Sequence, residues 1–384
     1  MPEDWQNAGF GLYVHWPFCQ SKCPYCDFNS HVTAQVDQKR WTAALVREIE
    51  RTARETPGRV LNTIFFGGGT PSLMAPETVE AVLDAAKQSW TPANDLEVTL
   101  EANPGSVDAG RFAAYAQAGV NRVSMGFQAL NDADLRRLGR LHSVKEGLQA
   151  FEIAQKSFER TSFDLIYGRQ DQSLDDWKSE LNQALRVCGD HLSLYQLTIE
   201  DGTAFGDRYN AGKLRGLPEE ELANDLYFAT QDICSGAGFE TYEISNHARP
   251  GQECRHNLIY WRYGDYVGVG PGAHGRVTLG GQRYATEAHR TPGAWMQSAE
   301  SGNGECVRDQ LTKADQAAEY LMMSLRLSEG TDLERFAALS GQEIPSGRME
   351  SLADLGLISV ENRRLWATAT GRPLLNGLLR ELLA

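Results

Sequence analysis

The chain has 384 residues, 41% of them apolar and 23% charged, the make-up of a soluble globular protein with room for one large α/β domain and a smaller one. Its formal net charge of −14 argues against a nucleic acid, or an anionic membrane, held on a broad basic face, because such binding draws on clustered Lys and Arg. Seven cysteines, an odd number with three crowded together, do not look like a disulfide framework and point to a reducing compartment.

Residues 1–9 are polar and acidic, with no basic segment leading into an apolar one, so no secretory signal is expected. No stretch approaches a transmembrane span. A cytoplasmic location is expected, with peripheral membrane association left open.

Apolar runs at residues 11–15, 60–66, 96–101, 122–126, 162–166 and 192–197 read as strands. Amphipathic stretches at 37–54, 76–90, 108–118, 132–138, 144–158 and 174–185 read as the helices between them, with Trp41, Leu45 and Ile49 facing inward on the first and Val79, Val82, Leu83 and Ala86 on the second. Ser173 is a natural N-cap. Strand–helix alternation of this kind implies parallel strands curving into a barrel or partial barrel, with chemistry at the C-terminal strand ends. Residues 201–216 read as loop, 218–235 as helix, 239–245 and 256–266 as aromatic-rich strands, and 267–275 as a glycine-rich loop. Helices at 313–327, 332–339 and 346–355, a β-wing and a last helix at 371–383 resemble a winged-helix module. No basic cluster marks its third helix, so the likeness implies nothing about DNA.

Cys19, Cys23 and Cys26 stand at C-x3-C-x2-C spacing just after the first strand. Three thiolates are one short of the set for a four-iron cube and would leave one iron open. Zinc is the competing reading, with His31 as fourth ligand. Gly67-Gly68-Gly69-Thr70-Pro71 follows the second strand, where glycines let backbone approach a ligand; the Gly-Lys-Ser/Thr ending of a phosphate loop is absent. Glu101 ends the third strand.

Together with Tyr13-Val14-His15-Trp16-Pro17-Phe18-Cys19, these motifs resemble radical S-adenosylmethionine (SAM) proteins. More narrowly, the chain is similar to the group holding oxygen-independent coproporphyrinogen III dehydrogenases and HemW-type heme chaperones, and the likeness runs nearly end to end, through Asp164-Leu165-Ile166-Tyr167-Gly168. The resemblance implies an α/β fold, a radical-SAM partial (β/α)6 barrel with a small C-terminal winged-helix-like α+β domain. It divides the chain into 1–200 (barrel core), 201–310 (barrel-completing segment) and 311–384 (C-terminal domain). It implies that Cys19, Cys23 and Cys26 hold a [4Fe–4S] cluster. SAM would bind the fourth iron, lined by Tyr13, Tyr25, Gly69, Thr70, Glu101, Gln128, Arg140, Asp164, Gln196 and His274. One electron from the cluster would cleave SAM to a 5′-deoxyadenosyl radical.

Two features favour the chaperone branch. The dehydrogenase pattern has another cysteine two residues after the third, where this chain has Phe28, and the longer N-terminal extension is missing. The stretch His256-Asn257-Leu258-Ile259-Tyr260-Trp261 matches a hallmark of the HemW branch. Heme-contact candidates are therefore His256, Asn257, Tyr260, Trp261 and Cys254, since His and thiolate ligate heme iron and aromatic rings stack on porphyrin. A core hairpin with a hydrogen-bonded His–Asn pair is the plainer reading. One departure is Arg169-Gln170-Asp171-Gln172, which lacks the family's proline. The expected function is heme binding and transfer to apo-hemoproteins, by a monomer or ligand-dependent homodimer without nucleic acid. Coproporphyrinogen III dehydrogenase activity and a zinc-stabilised interaction protein are the alternatives.

Overall fold

The computed structural model describes residues 3–384. Six strands stand where the apolar runs put them: β1 (Phe10–Trp16), β2 (Val60–Gly68), β3 (Thr91–Ala102), β4 (Arg122–Gln128), β5 (Arg160–Tyr167) and β6 (His191–Gln196). Short strands β7 (Glu240–Thr241) and β8 (Asn246–Ala248) follow, then β9 (Asp265–Val269), β10 (His274–Leu279), β11 (Gln282–Ala288) and β12 (Glu305–Gln310). They form one 12-stranded sheet in the order β12-β11-β10-β9-β1-β2-β3-β4-β5-β6-β8-β7. β1 to β6 are parallel, and β9 extends the parallel run on the far side of β1. The flanks are antiparallel. The two edges, β7 and β12, do not pair, so the sheet is open and the barrel partial.

Burial on both faces explains why the strands read as apolar runs. Phe10, Leu12, Val14 and Trp16 of β1 are fully buried under the helices, while Tyr13 and His15 alternate onto the concave face. Helix Gln38–Glu55 starts at Asp37, whose carboxylate accepts from Arg40 N at 3.1 Å. Its Trp41 stacks on Trp295 at 5.3 Å between ring centres and meets Trp16 edge-on at 5.8 Å. The stripe Val79, Val82, Leu83 and Ala86 is fully buried. Ser173 caps its helix in a reciprocal pair with Asp176.

Three sequence expectations are corrected. The segment 201–216 contains a helix, Ala204–Asn210, capped by Thr203, whose hydroxyl accepts from Gly206 N. Most of 267–275 belongs to β9 and β10 around a tight turn. The aromatic stretch at 256–266 is chiefly the helix Arg255–Trp261, not a strand or hairpin. Its first amides, Arg255 N and His256 N, donate to the Glu97 carboxylate of β3 at 3.2 and 3.0 Å. That cap lies far away in sequence, so local composition could not reveal it.

The C-terminal part has its own core, built on Leu321, Leu325, Phe336, Leu365, Leu378 and Leu382. A three-stranded wing (Thr331–Asp332, Arg364–Ala367, Ile358–Glu361) packs with its helices. Ion pairs dock this part on the rest of the chain: Arg276 of β10 with Glu319 at 2.8 Å, and Arg335 with Asp4, ahead of β1, at 2.7 Å.

Candidate functional site

The site lies at the C-terminal ends of β1 to β5. A two-residue strand, Phe18–Cys19, pairs with His31–Val32 and closes the cysteine loop at its base. Each thiol has its own polar neighbour. Thr70 Oγ1 donates to Cys19 Sγ at 3.3 Å, Arg140 Nη1 to Cys23 Sγ at 3.6 Å, and Ser30 Oγ lies 3.9 Å from Cys26 Sγ. Burial pushes the Cys19 and Cys26 thiols up, and the hydroxyls of Thr70 and Ser30 work against it. Among the described residues, no three His, Cys, Asp or Glu side chains are placed to hold a single metal ion. The His31 ring lies 3.3 Å from Asn29 Oδ1.

The triple glycine packs directly beneath this loop. Gly69 N donates to Trp16 O at 2.7 Å, and Thr70 N to Phe18 O at 2.8 Å. Gly68 has a φ of +109°, and a Cβ there would sit 2.6 Å from the His15 ring. A Cβ on Gly69 would strike the Phe18 backbone at 2.8 Å. Backbone and thiols thus come together as a cradle that side chains would fill.

Glu101 and Asp164 face each other across the concave side. Removal from bulk water pushes Glu101 up to about 8, the nearby Asp164 adds to the rise, and the bond from Gly68 N at 3.3 Å opposes it. Asp164 is also raised by desolvation, against bonds from Ser124 at 2.8 Å and Ser162 at 2.9 Å. Gln128 follows a bulge opposite β5 and has a φ of +75°, which folds its amide back over Gly126. Arg140 Nη2 donates to Gly126 O at 2.7 Å, and its Nε is buried without a partner. Tyr25, packed near Phe205, is held protonated by burial, with Arg140 opposing.

Tyr13 links this layer to the one below. Its hydroxyl donates to His15 Nδ1 at 3.0 Å, and its ring stacks over Phe65 and His256. His256 is buried, with Nδ1 2.7 Å from Thr63 Oγ1 and Nε2 2.6 Å from the Tyr260 hydroxyl. Burial lowers its pKa to about 3, so the ring is neutral and both nitrogens are engaged. Cys254 is buried and donates to Glu97, and burial pushes its thiol up to about 12. Cys254 and His256 are thus internal, while Asn257, Tyr260 and Trp261 reach the surface in part, with Trp261 Nε1 buried without a partner.

At the C-terminal ends of the strands, contacts tie Thr70, next to Gly69, to Cys19, and Arg140 to Cys23 and Tyr25, with Cys26 close by and Gln128 folded over Gly126 beside Arg140; below them Gly68 bonds Glu101, with Asp164 and Tyr13 near it. Gln196 ends β6 beside Gly168 and is exposed. His274 opens β10 on the other flank, 3.7 Å from Glu287. Sequence reasoning missed His15, Asn29, Thr63, Ser124 and Ser162. Period-two spacing from Asp164 could have found Ser162, but nothing local marks Asn29 or Thr63.

The residues present fit an iron–sulfur cluster with SAM: three thiols with donors, a glycine cradle, an orphaned Arg140 Nε and a facing pair of carboxyls.

Known proteins resemble this chain in sequence and in fold. The Radical SAM superfamily matches residues 13–184, and the HemN C-terminal domain matches residues 311–374. The Escherichia coli protein named heme chaperone HemW is 38% identical over 97% of this chain and 98% of its own length. The Bos taurus radical S-adenosyl methionine domain-containing protein 1, named as mitochondrial, is 40% identical over 97% of this chain and 87% of its own. In fold, the chain matches Escherichia coli coproporphyrinogen III oxidase (HemN) with a TM-score of 0.82, covering 98% of this chain and 90% of that one at 22% identity.

Proposed function

This chain belongs to the HemW-type family of radical SAM proteins, and from that premise we propose that it is a heme chaperone which binds heme and passes it to apo-hemoproteins, respiratory ones among them. The full-length likeness to relatives named heme chaperone carries the reading. Porphyrinogen decarboxylation rests on fold alone, and Phe28, 60% exposed on the cysteine loop, offers an apolar face where that chemistry's pattern has a thiol.

In this proposal Cys19, Cys23 and Cys26 hold a [4Fe–4S] cluster that leaves one iron for SAM, and the pair supplies one-electron chemistry when bound. Every other step belongs to the chain. Thr70 and Arg140 donate to the cluster thiolates and stabilise their charge. Gly69 lets backbone close on the ligand. Glu101 accepts from a SAM hydroxyl or ammonium group, giving up its proton as it does so. Asp164, fixed by two serines, and Gln128 hold the next part of the ligand, with Tyr13 and Tyr25 as walls. Gln196 and His274 extend the site at its rims.

Heme is cargo. Asn257, Tyr260 and Trp261, each partly exposed, form the side on which it is received, while His256 and Cys254 support from inside. The working division is 1–200, 201–310 and 311–384. No described helix is long and apolar enough to cross a membrane. The cytoplasm is the proposed location, in a monomer or a ligand-dependent dimer.

The test is anaerobic reconstitution with iron and sulfide, followed by SAM, reductant and coproporphyrinogen III, with a parallel heme titration and transfer to an apo-cytochrome. Heme uptake and transfer without protoporphyrinogen is the expected result. Efficient protoporphyrinogen formation, or stoichiometric zinc and no iron, defeats the reading.

A further inference from the structure

Asn29, three residues beyond the last cysteine, makes more long-range bonds than any other side chain of the cysteine loop. Its Nδ2 donates to Pro271 O and to Arg290 O, both at 2.8 Å. Its backbone carbonyl accepts from His15 Nε2 at 2.9 Å, and burial keeps that ring neutral, so Nδ1 is free to accept from Tyr13. The turn it grips is built for close approach. Gly272 has a φ of +71°, and a Cβ there would lie 2.6 Å from Asn29 Nδ2. Gly270, at φ +113°, lies directly against the His15 carbonyl. Gly272 N donates in turn to His289 O at 2.9 Å, fixing the turn to the end of β11.

The cysteine loop is closed at its base, Phe18–Cys19 against His31–Val32, and Thr70, Arg140 and Phe205 N bond Cys19, Cys23 and Pro24 O from the parallel part and the segment after it. Among the described residues, Asn29 is the only side chain of 19–31 bonded to the antiparallel flank. We propose that Asn29 is a positioning residue that latches the cysteine loop to the turn 270–273, so that the antiparallel flank sets the placement of the three thiols. A planar amide with two N–H groups can serve two carbonyls at once; an aspartate of the same shape can serve neither. Since β10 continues from that turn to Arg276, bonded to Glu319 of the C-terminal part, the latch also fixes the cysteine loop relative to the docking face.

The inference rests on the cluster reading only for its iron arm, so two measurements are made on the full chain. Amide hydrogen exchange on iron-free protein compares wild type, Asn29→Asp, Asn29→Ala and Arg290→Ala. Both Asn29 variants are expected to speed exchange in 19–31 and 270–273 together, with helix Gln38–Glu55 unchanged. Arg290→Ala keeps the carbonyl and is expected to match wild type. On reconstituted protein, a chelator is expected to strip iron about tenfold faster from the Asn29 variants, as the loss of two bonds predicts, with an altered paramagnetic spectrum of the reduced cluster. Unchanged exchange in 270–273 overturns the latch whatever the iron arm shows. Wild type that takes up no iron overturns the cluster reading and leaves the exchange result to decide the latch.

Discussion

Thr63 Oγ1 and His256 Nδ1 are 2.7 Å apart inside the barrel, joining β2 to the helix Arg255–Trp261. With Tyr260 on Nε2, this bond leaves the imidazole no free nitrogen. Thr63→Val keeps the shape and removes one partner. It is expected to cost about 1–3 kcal/mol in chemical denaturation, the penalty for stranding a buried polar atom. Heme affinity is expected to stay within about twofold of wild type, too small a change to signal loss of an iron ligand. A much larger loss in a heme titration would show that His256 touches heme.

Glu101 supplies a pH dependence. Its folded pKa, about 8, stands above the ordinary 4.5. The stability it lends is therefore full below about 4.5 and is lost as pH rises through 8. A SAM ammonium or hydroxyl needs the carboxylate, so SAM affinity is expected to rise between pH 6 and about 8 in calorimetric titration, with proton release. Glu101→Gln is expected to flatten the profile and weaken binding about tenfold or more. A wild-type profile that falls across this range would contradict the assignment.

Gly68→Ala tests the cradle. The new Cβ would meet the His15 ring at 2.6 Å from a backbone at φ +109°. A loss of at least about 1 kcal/mol of stability is expected, with SAM binding reduced more than heme binding. Equal loss of both ligands would mean general misfolding.

Arg276 and Glu319 pair at 2.8 Å with side chains 23% and 18% exposed. A double-mutant cycle with Arg276→Met and Glu319→Gln is expected to give a coupling of about 1 kcal/mol or somewhat more, since the pair is forked and half-buried. Zero coupling would place the docking of the C-terminal part on its apolar contacts and on the Arg335–Asp4 pair.

The amino-acid sequence determined the repeating part of this protein. Apolar runs and helical stripes located β1 to β6 and their helices because the apolar spacing that marks each element is written in residues a few positions apart, continuous in strands buried on both faces and periodic in helices buried on one. The glycine and cysteine motifs were legible for the same reason: C-x3-C-x2-C and Gly67-Gly68-Gly69 lie within single loops. Glu101 was legible as a strand-end carboxyl, and Asp164, in the middle of β5, only through the motif Asp164-Leu165-Ile166-Tyr167-Gly168.

Tertiary structure decided what depends on distant partners. The segment from Arg255 to Trp261 is a helix because Glu97, on β3, accepts its first amides, although its aromatic content reads as strand. His256 became an internal support because Thr63 and Tyr260 take its two nitrogens. Gln128 reached Gly126 only through a bulge against β5. Asn29, unmarked in the sequence, became the tie between the cysteine loop and the turn at Pro271, a contact spanning 242 residues. Local patterns mark strands, helices and loops, because apolar periodicity and turn chemistry are written in adjacent residues. Which side chains meet at the site is settled by strand register and chain closure, which no short stretch contains.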